Sequence, residues 1–328
     1  MKKIRAAVAA TALLMVTACG GGSDSGSESG STAGGDSGEL TPVTVGVIPI
    51  TDVAPIYLGV QEGFFEEEGL ELTLTPAQGG AAIVPAVVSG DMDFGFSNVT
   101  SMIIARSQGL PIQIVANGNS STGDRDEDFA GVMVAGDSDI QEITDLEGKS
   151  IAVNTLNNIS DNTISAAVAE SGGDPSTIDY VEMPFPDMGA ALDSGNVDAI
   201  AAVEPFVTLA GENGARMVLS NYAYPVEDLT VAVYFSSESM MQENPEVVDS
   251  FQAAMQRSLE FAESNPDAVR AILPEYTELD QGLIEQLTLP KYPAEINRDS
   301  VRELAELAVE NGMIEEVPNL DELLPEQE

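Results

Sequence analysis

The chain has no histidine, no tryptophan and one cysteine, and 12 basic residues stand against 55 acidic ones in its 328 positions. Without histidine, and with a single cysteine, the Ser-His-Asp and Cys-His arrangements of nucleophilic catalysis are excluded, as are the common transition-metal sets. Few Lys and Arg residues exclude nucleic acid as a partner, because phosphate backbones are held by clustered cations. The same shortage argues against adhesion to anionic lipid through charge. The net charge of −43 fits solubility in salty or variable surroundings. Long apolar runs are lacking too. Residues 6–17 form the one strongly apolar stretch near the start, and a bilayer span needs ~20 such residues. Gly79-Gly80 precedes a helical pattern but lacks dinucleotide-loop spacing and a following Lys-Ser/Thr. The acidic run from Asp124 to Asp128 lacks the central Gly and distal Glu of a calcium loop. Glu66-Glu67-Glu68 reads as a solvated loop. No cofactor and no metal are expected, although acid–base pairs of Asp and Glu stay available.

What is present begins with an export signal. Lys2, Lys3 and Arg5 precede an apolar segment over 6–16, as in a secretory signal. Val16-Thr17-Ala18-Cys19 then resembles a bacterial lipobox. Residues 1–18 are therefore expected to be a signal peptide, with Cys19 lipidated as the first mature residue. The alternative, an ordinary signal with an incidental Cys, would leave a lone reactive thiol on an exported protein. From 20 to 39 the chain is Gly, Ser, Asp and Glu with almost nothing apolar, so 19–40 reads as a flexible tether. Nine basic and 55 acidic residues follow Cys19, near −46. The expected location is the outer, extracytoplasmic face of the cell membrane, held by lipid.

From residue 41 short apolar strands alternate with helical stretches. Strands are predicted at 43–48, 70–75, 92–96 and 111–116, with helices at 55–62, 81–88 and 98–107. The pattern restarts with strands at 149–154, 179–183, 198–203 and 216–219 and helices at 160–171, 188–192 and 205–212. Such alternation indicates mainly parallel sheets flanked by helices. Ser89-Gly90-Asp91-Met92-Asp93 matches Ser194-Gly195-Asn196-Val197-Asp198, each at a helix-to-strand junction. Gly109 and Gly214 each follow nineteen residues after Gly90 and Gly195. Two such landmarks point to two lobes of like topology. Residues 128–135 and 229–235 read as strands on which the chain crosses between lobes. Lobe one is then 41–128 with 229–328, and lobe two is 129–228. The remainder is helical, at 245–264, 267–273 and 300–311, and is expected to pack against lobe one.

In such sheets ligands bind beyond the carboxyl ends of strands, beside helix N-termini. Those positions hold Thr51, Asp52, Ser97, Asn98 and Asn119 in the first lobe, and Asn158, Ser160, Asp161 and Glu204 in the second. Tyr57, Phe185 and Phe206 flank them. Taken singly, each polar residue reads first as a cap or turn residue. Together they line a cleft if the lobes face each other.

Pro55-Ile56-Tyr57-Leu58-Gly59, Glu62-Gly63-Phe64-Phe65 with Glu68-Gly69-Leu70, and Ser89-Gly90-Asp91-Met92-Asp93-Phe94-Gly95 carry a family resemblance. Asp145-Leu146-Glu147-Gly148-Lys149 and Glu204-Pro205-Phe206 extend it. The chain resembles the nitrate/sulfonate/taurine and thiamine-pyrimidine-precursor group of periplasmic binding proteins. The resemblance implies a two-lobed type II periplasmic-binding-protein fold of class α/β. It also implies capture of a small molecule for an ABC permease, by a chain expected to be a monomer and not an enzyme. The related pyrimidine synthases use a His and a Cys-rich segment, and this chain has neither. A stand-alone sensor or presenter, and an exported Asp/Glu hydrolase on the same scaffold, are the competing functions. Arg106 is placed well along its helix, Lys149 at the far end of its sheet, and Arg125 among acidic residues. A neutral, zwitterionic or cationic organic ligand is therefore expected, held by amides and hydroxyls and stacked on Tyr57 or Phe206.

Overall fold

Short apolar runs bounded by Gly, Pro and polar turns become strands here, and the amphipathic segments between them become helices. The computed structural model describes residues 39–325. The expected signal peptide, Cys19 and all of the expected tether before residue 39 lie outside the described residues. The strands are β1 (Thr41–Val47), β2 (Leu70–Pro76), β3 (Phe94–Asn98), β4 (Ile112–Ser120) and β5 (Ala130–Val134). They continue with β6 (Ser150–Val153), β7 (Asp179–Glu182), β8 (Ala199–Val203), β9 (Arg216–Leu219) and β10 (Thr230–Ser237). Helices α1 (Ala54–Gln61), α2 (Phe64–Glu67), α3 (Gly80–Ser89) and α4 (Val99–Ser107) accompany the first strands. Helices α5 (Ile159–Glu170), α6 (Phe185–Asp193) and α7 (Phe206–Glu212) accompany the second set. The tail carries α8 (Glu238–Glu243), α9 (Pro245–Ser264), α10 (Pro266–Ile272), α11 (Gln281–Ile284), α12 (Arg298–Glu310) and α13 (Leu320–Leu323).

The two five-stranded sheets have the same order, β2-β1-β3-β10-β4 and β7-β6-β8-β5-β9. In each, the first three neighbours are parallel and one strand is inserted antiparallel before the last. Those inserted strands, β5 and β10, are the expected crossing strands, and both are buried from end to end. The repeated Ser-Gly-x-x-Asp motif does the same work twice. Gly90 and Gly195 take the left-handed conformation that ends α3 and follows α6. The Asp93 carboxylate then accepts from the Thr44 backbone N–H at 2.7 Å and its hydroxyl at 2.8 Å. Asp198 accepts from the Ser150 N–H at 2.8 Å and hydroxyl at 2.7 Å. Each lobe thereby ties its third strand to its first.

Three expectations differ from the structure. Glu66 and Glu67, read as loop, lie in α2. Asn117 to Asn119, placed beyond the fourth strand by their turn-like sequence, belong to β4 itself. Pairing with β10 draws them in, through register shifts near Ala232 that fit the close approach at Gly118. A Cβ at Gly118 would lie 2.9 Å from the Ala232 carbonyl oxygen. The tail also does more than cover lobe one. Helices α9 and α10 pack on α1, but α12 lies against both α4 and α5. Buried Asn162 of α5 donates to the Leu304 carbonyl at 3.0 Å, and its own amide oxygen accepts from Asn311 at 2.8 Å.

The lobes differ in their cores. Phe94 and Phe251 stack at 4.0 Å, with Phe65, Phe96 and Tyr234 around them. A separate cluster in the second lobe is aliphatic, built on Val132, Val134, Ile151, Val153, Ile164 and Leu219.

Candidate functional site

Strand ends from both sheets converge on one cavity of about 40 Å³, walled by Asp52, Ser97 and Asn98 on one side and Asn158, Ser160 and Phe185 on the other. Ile48, Ile50, Phe96, Val203 and Tyr222 complete much of the apolar lining. The lobes touch around the cavity. The Thr51 N–H and hydroxyl both donate to the Glu204 carbonyl, at 3.3 and 3.2 Å. Asn154 donates to the Gln78 carbonyl at 3.1 Å.

On the first-lobe wall, Asp52 sits in a 3-10 turn (Thr51–Val53) directly before α1 and is 2% exposed. One of its oxygens accepts from the Asn119 amide at 2.9 Å, and the other has only a long 3.4 Å contact with the Thr51 hydroxyl. Burial raises the Asp52 pKa from 3.8 to about 7, and the neighbouring Asp128 adds to the rise. Ser97 is buried and its hydroxyl has no hydrogen-bond partner among the described residues. The glycine opposite permits this: a Cβ at Gly80 would come within 2.8 Å of the Ser97 oxygen. Asn98 caps α4 by accepting from the Ser101 N–H at 2.9 Å.

The second-lobe wall is a capping box at the start of α5. Asn158 accepts from the Ser160 N–H at 2.7 Å, while Asp161 accepts from the N–H groups of Asn157 and Asn158 at 2.7 and 2.6 Å. Burial nevertheless raises the Asp161 pKa to about 6. Ser160 and Tyr222 share a hydroxyl–hydroxyl bond of 3.0 Å.

Of the residues expected from sequence, Asp52, Ser97, Asn98, Asn158 and Ser160 line the cavity. Asn119 stands behind Asp52, and Asp161 stands behind Asn158. Thr51 joins the lobes. Glu204 turns its carboxylate to the Thr208 hydroxyl at 2.7 Å and the Thr288 N–H at 3.2 Å, and burial raises its pKa. Phe206 stacks on Phe185 at 5.7 Å, and it is Phe185 that faces the cavity. Tyr57 stacks on Tyr276 at 4.0 Å. Sequence reasoning missed Tyr222, Asn154 and Phe96, and also the tail tyrosines that brace this wall. Tyr292 donates to the Thr51 carbonyl at 2.8 Å and Tyr276 to the Ile50 carbonyl at 3.2 Å. Asn154 directly follows β6, so the strand-end rule alone would have found it.

Arg125 lies over the Tyr224 ring at 4.5 Å and donates to the Tyr224 carbonyl, while Arg106 pairs with Glu238 and Glu322. Among the described residues no group of three or more His, Cys, Asp or Glu could hold a metal ion, and no helix is long and apolar enough to cross a membrane.

A two-lobed sheet pair with a cavity between strand ends defines a solute-binding scaffold. Residues 50–269 match the family described as NMT1/THI5 like, and the chain belongs to that family. It is similar to the formylaminopyrimidine-binding protein of Halalkalibacterium halodurans, 24% identical over 71% of this chain and 69% of the relative. It is also similar to the 4-amino-5-hydroxymethyl-2-methylpyrimidine phosphate synthase of Aspergillus parasiticus, 25% identical over 66% of this chain and 64% of that one. Among solved structures, the ligand-binding component of an ABC-type import system from Staphylococcus aureus, with zinc bound, superposes with a TM-score of 0.75. That likeness, at 15% identity over 87% of this chain and 97% of the other, concerns the fold.

Proposed function

We propose that the chain is the extracytoplasmic substrate-binding subunit of an ABC importer, capturing a small organic solute between its lobes and delivering it to the permease. The observation that carries this is the cavity whose walls come from strand ends of both sheets, with the N-caps Asn98 and Asn158 facing it from opposite lobes. Lobe one comprises 41–128 and 229–328, and lobe two 129–228. A solute touching both walls stabilises the closed arrangement relative to the open one, which is capture by population shift. The protein works as a monomer, without a cofactor and without catalysis. The absence of histidine and the single cysteine, Cys19, support binding over the synthase chemistry of one relative.

Cys19 carries the lipid anchor, after removal of residues 1–18, and the Gly/Ser/acidic segment up to residue 40 holds the lobes off the membrane. One acyl chain of myristoyl size binds membranes only weakly, so more than one chain is expected.

Mass spectrometry of the purified protein should find a retained small molecule. Small-angle scattering should show contraction when that molecule is added back to stripped protein. A single rigid shape with no retained solute contradicts the proposal. Cys19→Ser should release the protein or leave its signal uncleaved, and a variant that is processed normally and stays membrane-bound contradicts the anchor.

A further inference from the structure

Resting on the binding function proposed above, we infer that the inter-lobe cavity selects a small organic cation, whose charged N–H group is received by Asp52. The lining of the cavity contains one carboxylate, Asp52, and neither Lys nor Arg. The nine cations that follow Cys19 are occupied or distant. Arg106, Arg257, Arg298 and Arg302 pair with carboxylates, and Arg125, Arg216 and Arg270 donate to backbone carbonyls. Lys149 acts on Asp145 and Asp198 at the sheet's other end, and Lys291 approaches Gly123. Among side chains Asp52 has one close donor, Asn119, beside its own backbone N–H and the long Thr51 contact, for four lone-pair sites. A buried carboxylate with so few donors is costly to ionise, and a ligand that supplies the missing charge relieves that cost. Beside it, the unpartnered Ser97 hydroxyl offers a second polar contact. Phe96, Phe185 and Tyr222 give apolar and ring faces for the body of the ligand. An anion meets the Asp52 carboxylate on this wall unless Asp52 is protonated, and is left with the Ser97 hydroxyl as a donor.

That alternative makes the sign of the pH dependence decisive. The ionisable groups facing Asp52 are Asp128, before β5, whose pKa burial also raises, and Tyr222, Tyr234, Tyr276 and Tyr292, held un-ionised by burial. Asp52 is the group on the first-lobe wall that titrates near neutrality, at about 7, and Asp161, behind Asn158 on the opposite wall, follows at about 6. A cation binds the ionised form of Asp52, which is about one tenth of molecules at pH 6 and nine tenths at pH 8. An anion would show the reverse.

The test is calorimetric titration of the full-length purified protein, stripped of retained solute, with methylammonium, methylguanidinium and acetamidinium, and with nitrate and methanesulfonate as anions. At least one cation should bind about tenfold tighter at pH 8 than at pH 6, and Asp52→Asn should weaken it at least tenfold at pH 8. Ser97→Ala, which removes no internal bond, should weaken it less. Binding by none of the three cations overturns the inference, as does equal affinity in Asp52→Asn. Tighter binding of nitrate or methanesulfonate at pH 6 also overturns it, while leaving solute capture between the lobes intact. Failure of solute capture itself is read separately, as the absence of any retained molecule.

Discussion

The two lobes share a strand order, a crossing strand, an Asp-to-first-strand tether and an amide N-cap facing the cavity, yet their cavity walls differ in hydrogen-bond economy. On the second lobe the polar groups satisfy one another: Asn158 caps Ser160, Asp161 gathers two backbone N–H groups, and Ser160 meets Tyr222. On the first lobe Ser97 has no partner and one Asp52 oxygen has only a long contact. A wall that satisfies itself is rigid and indifferent to the ligand. A wall with unmet capacity is where selectivity resides. One topology thus supplies a platform on one side and a recognition surface on the other.

The core contrast gives the largest expected effect. Phe251→Ala removes the stacking partner of Phe94 and should destabilise by about 3–5 kcal/mol, whereas Ile151→Val in the aliphatic second lobe should cost about 0.5–1.5 kcal/mol. Urea unfolding measures both, and equal costs would remove the contrast. Next comes pH. Asp52 has a folded pKa raised from 3.8 to about 7. Its contribution is therefore fully present below about pH 4 and is lost as pH rises through about 7. Wild type should lose on the order of 4 kcal/mol relative to Asp52→Asn across that window. Asp161, raised to about 6, should show the same sign in the second lobe over a window that closes a unit earlier. A wild-type stability that rises with pH relative to these variants would contradict the burial argument. Asn98→Ala and Asn158→Ala each remove an N-cap and should cost about 1 kcal/mol, alike in both lobes. Ser97→Ala should change stability by less than about 1 kcal/mol, because its hydroxyl loses no partner on removal.

Much of this was legible in the sequence for local reasons. The Ser-Gly-x-x-Asp repeat and its glycine spacing mark helix ends, which depend on neighbouring residues, so the duplicated topology and both crossing strands could be read. Asn158 with Asp161 is a short-range cap pattern, and it put Asn158 on the cavity wall with Asp161 behind it. What depended on distant pairing was lost. Asn117 to Asn119 resemble a turn until β10 pairs with them. Asp93 and Asp198 serve first strands 49 and 48 residues away, which spacing along the chain does not announce. Tyr276 and Tyr292 reach the Asp52 turn from more than 200 residues downstream. Glu204 was placed correctly at a strand end, but its carboxylate finds Thr208 and the distant Thr288 N–H.

A crystal structure of the protein purified with its retained solute tests solute capture between the lobes most directly. The account predicts density for a small molecule in the cavity between Asp52, Ser97, Asn158 and Ser160, touching both lobes. Density for the solute only in the outer groove between α9 and β4, or contacts confined to one lobe, would contradict it.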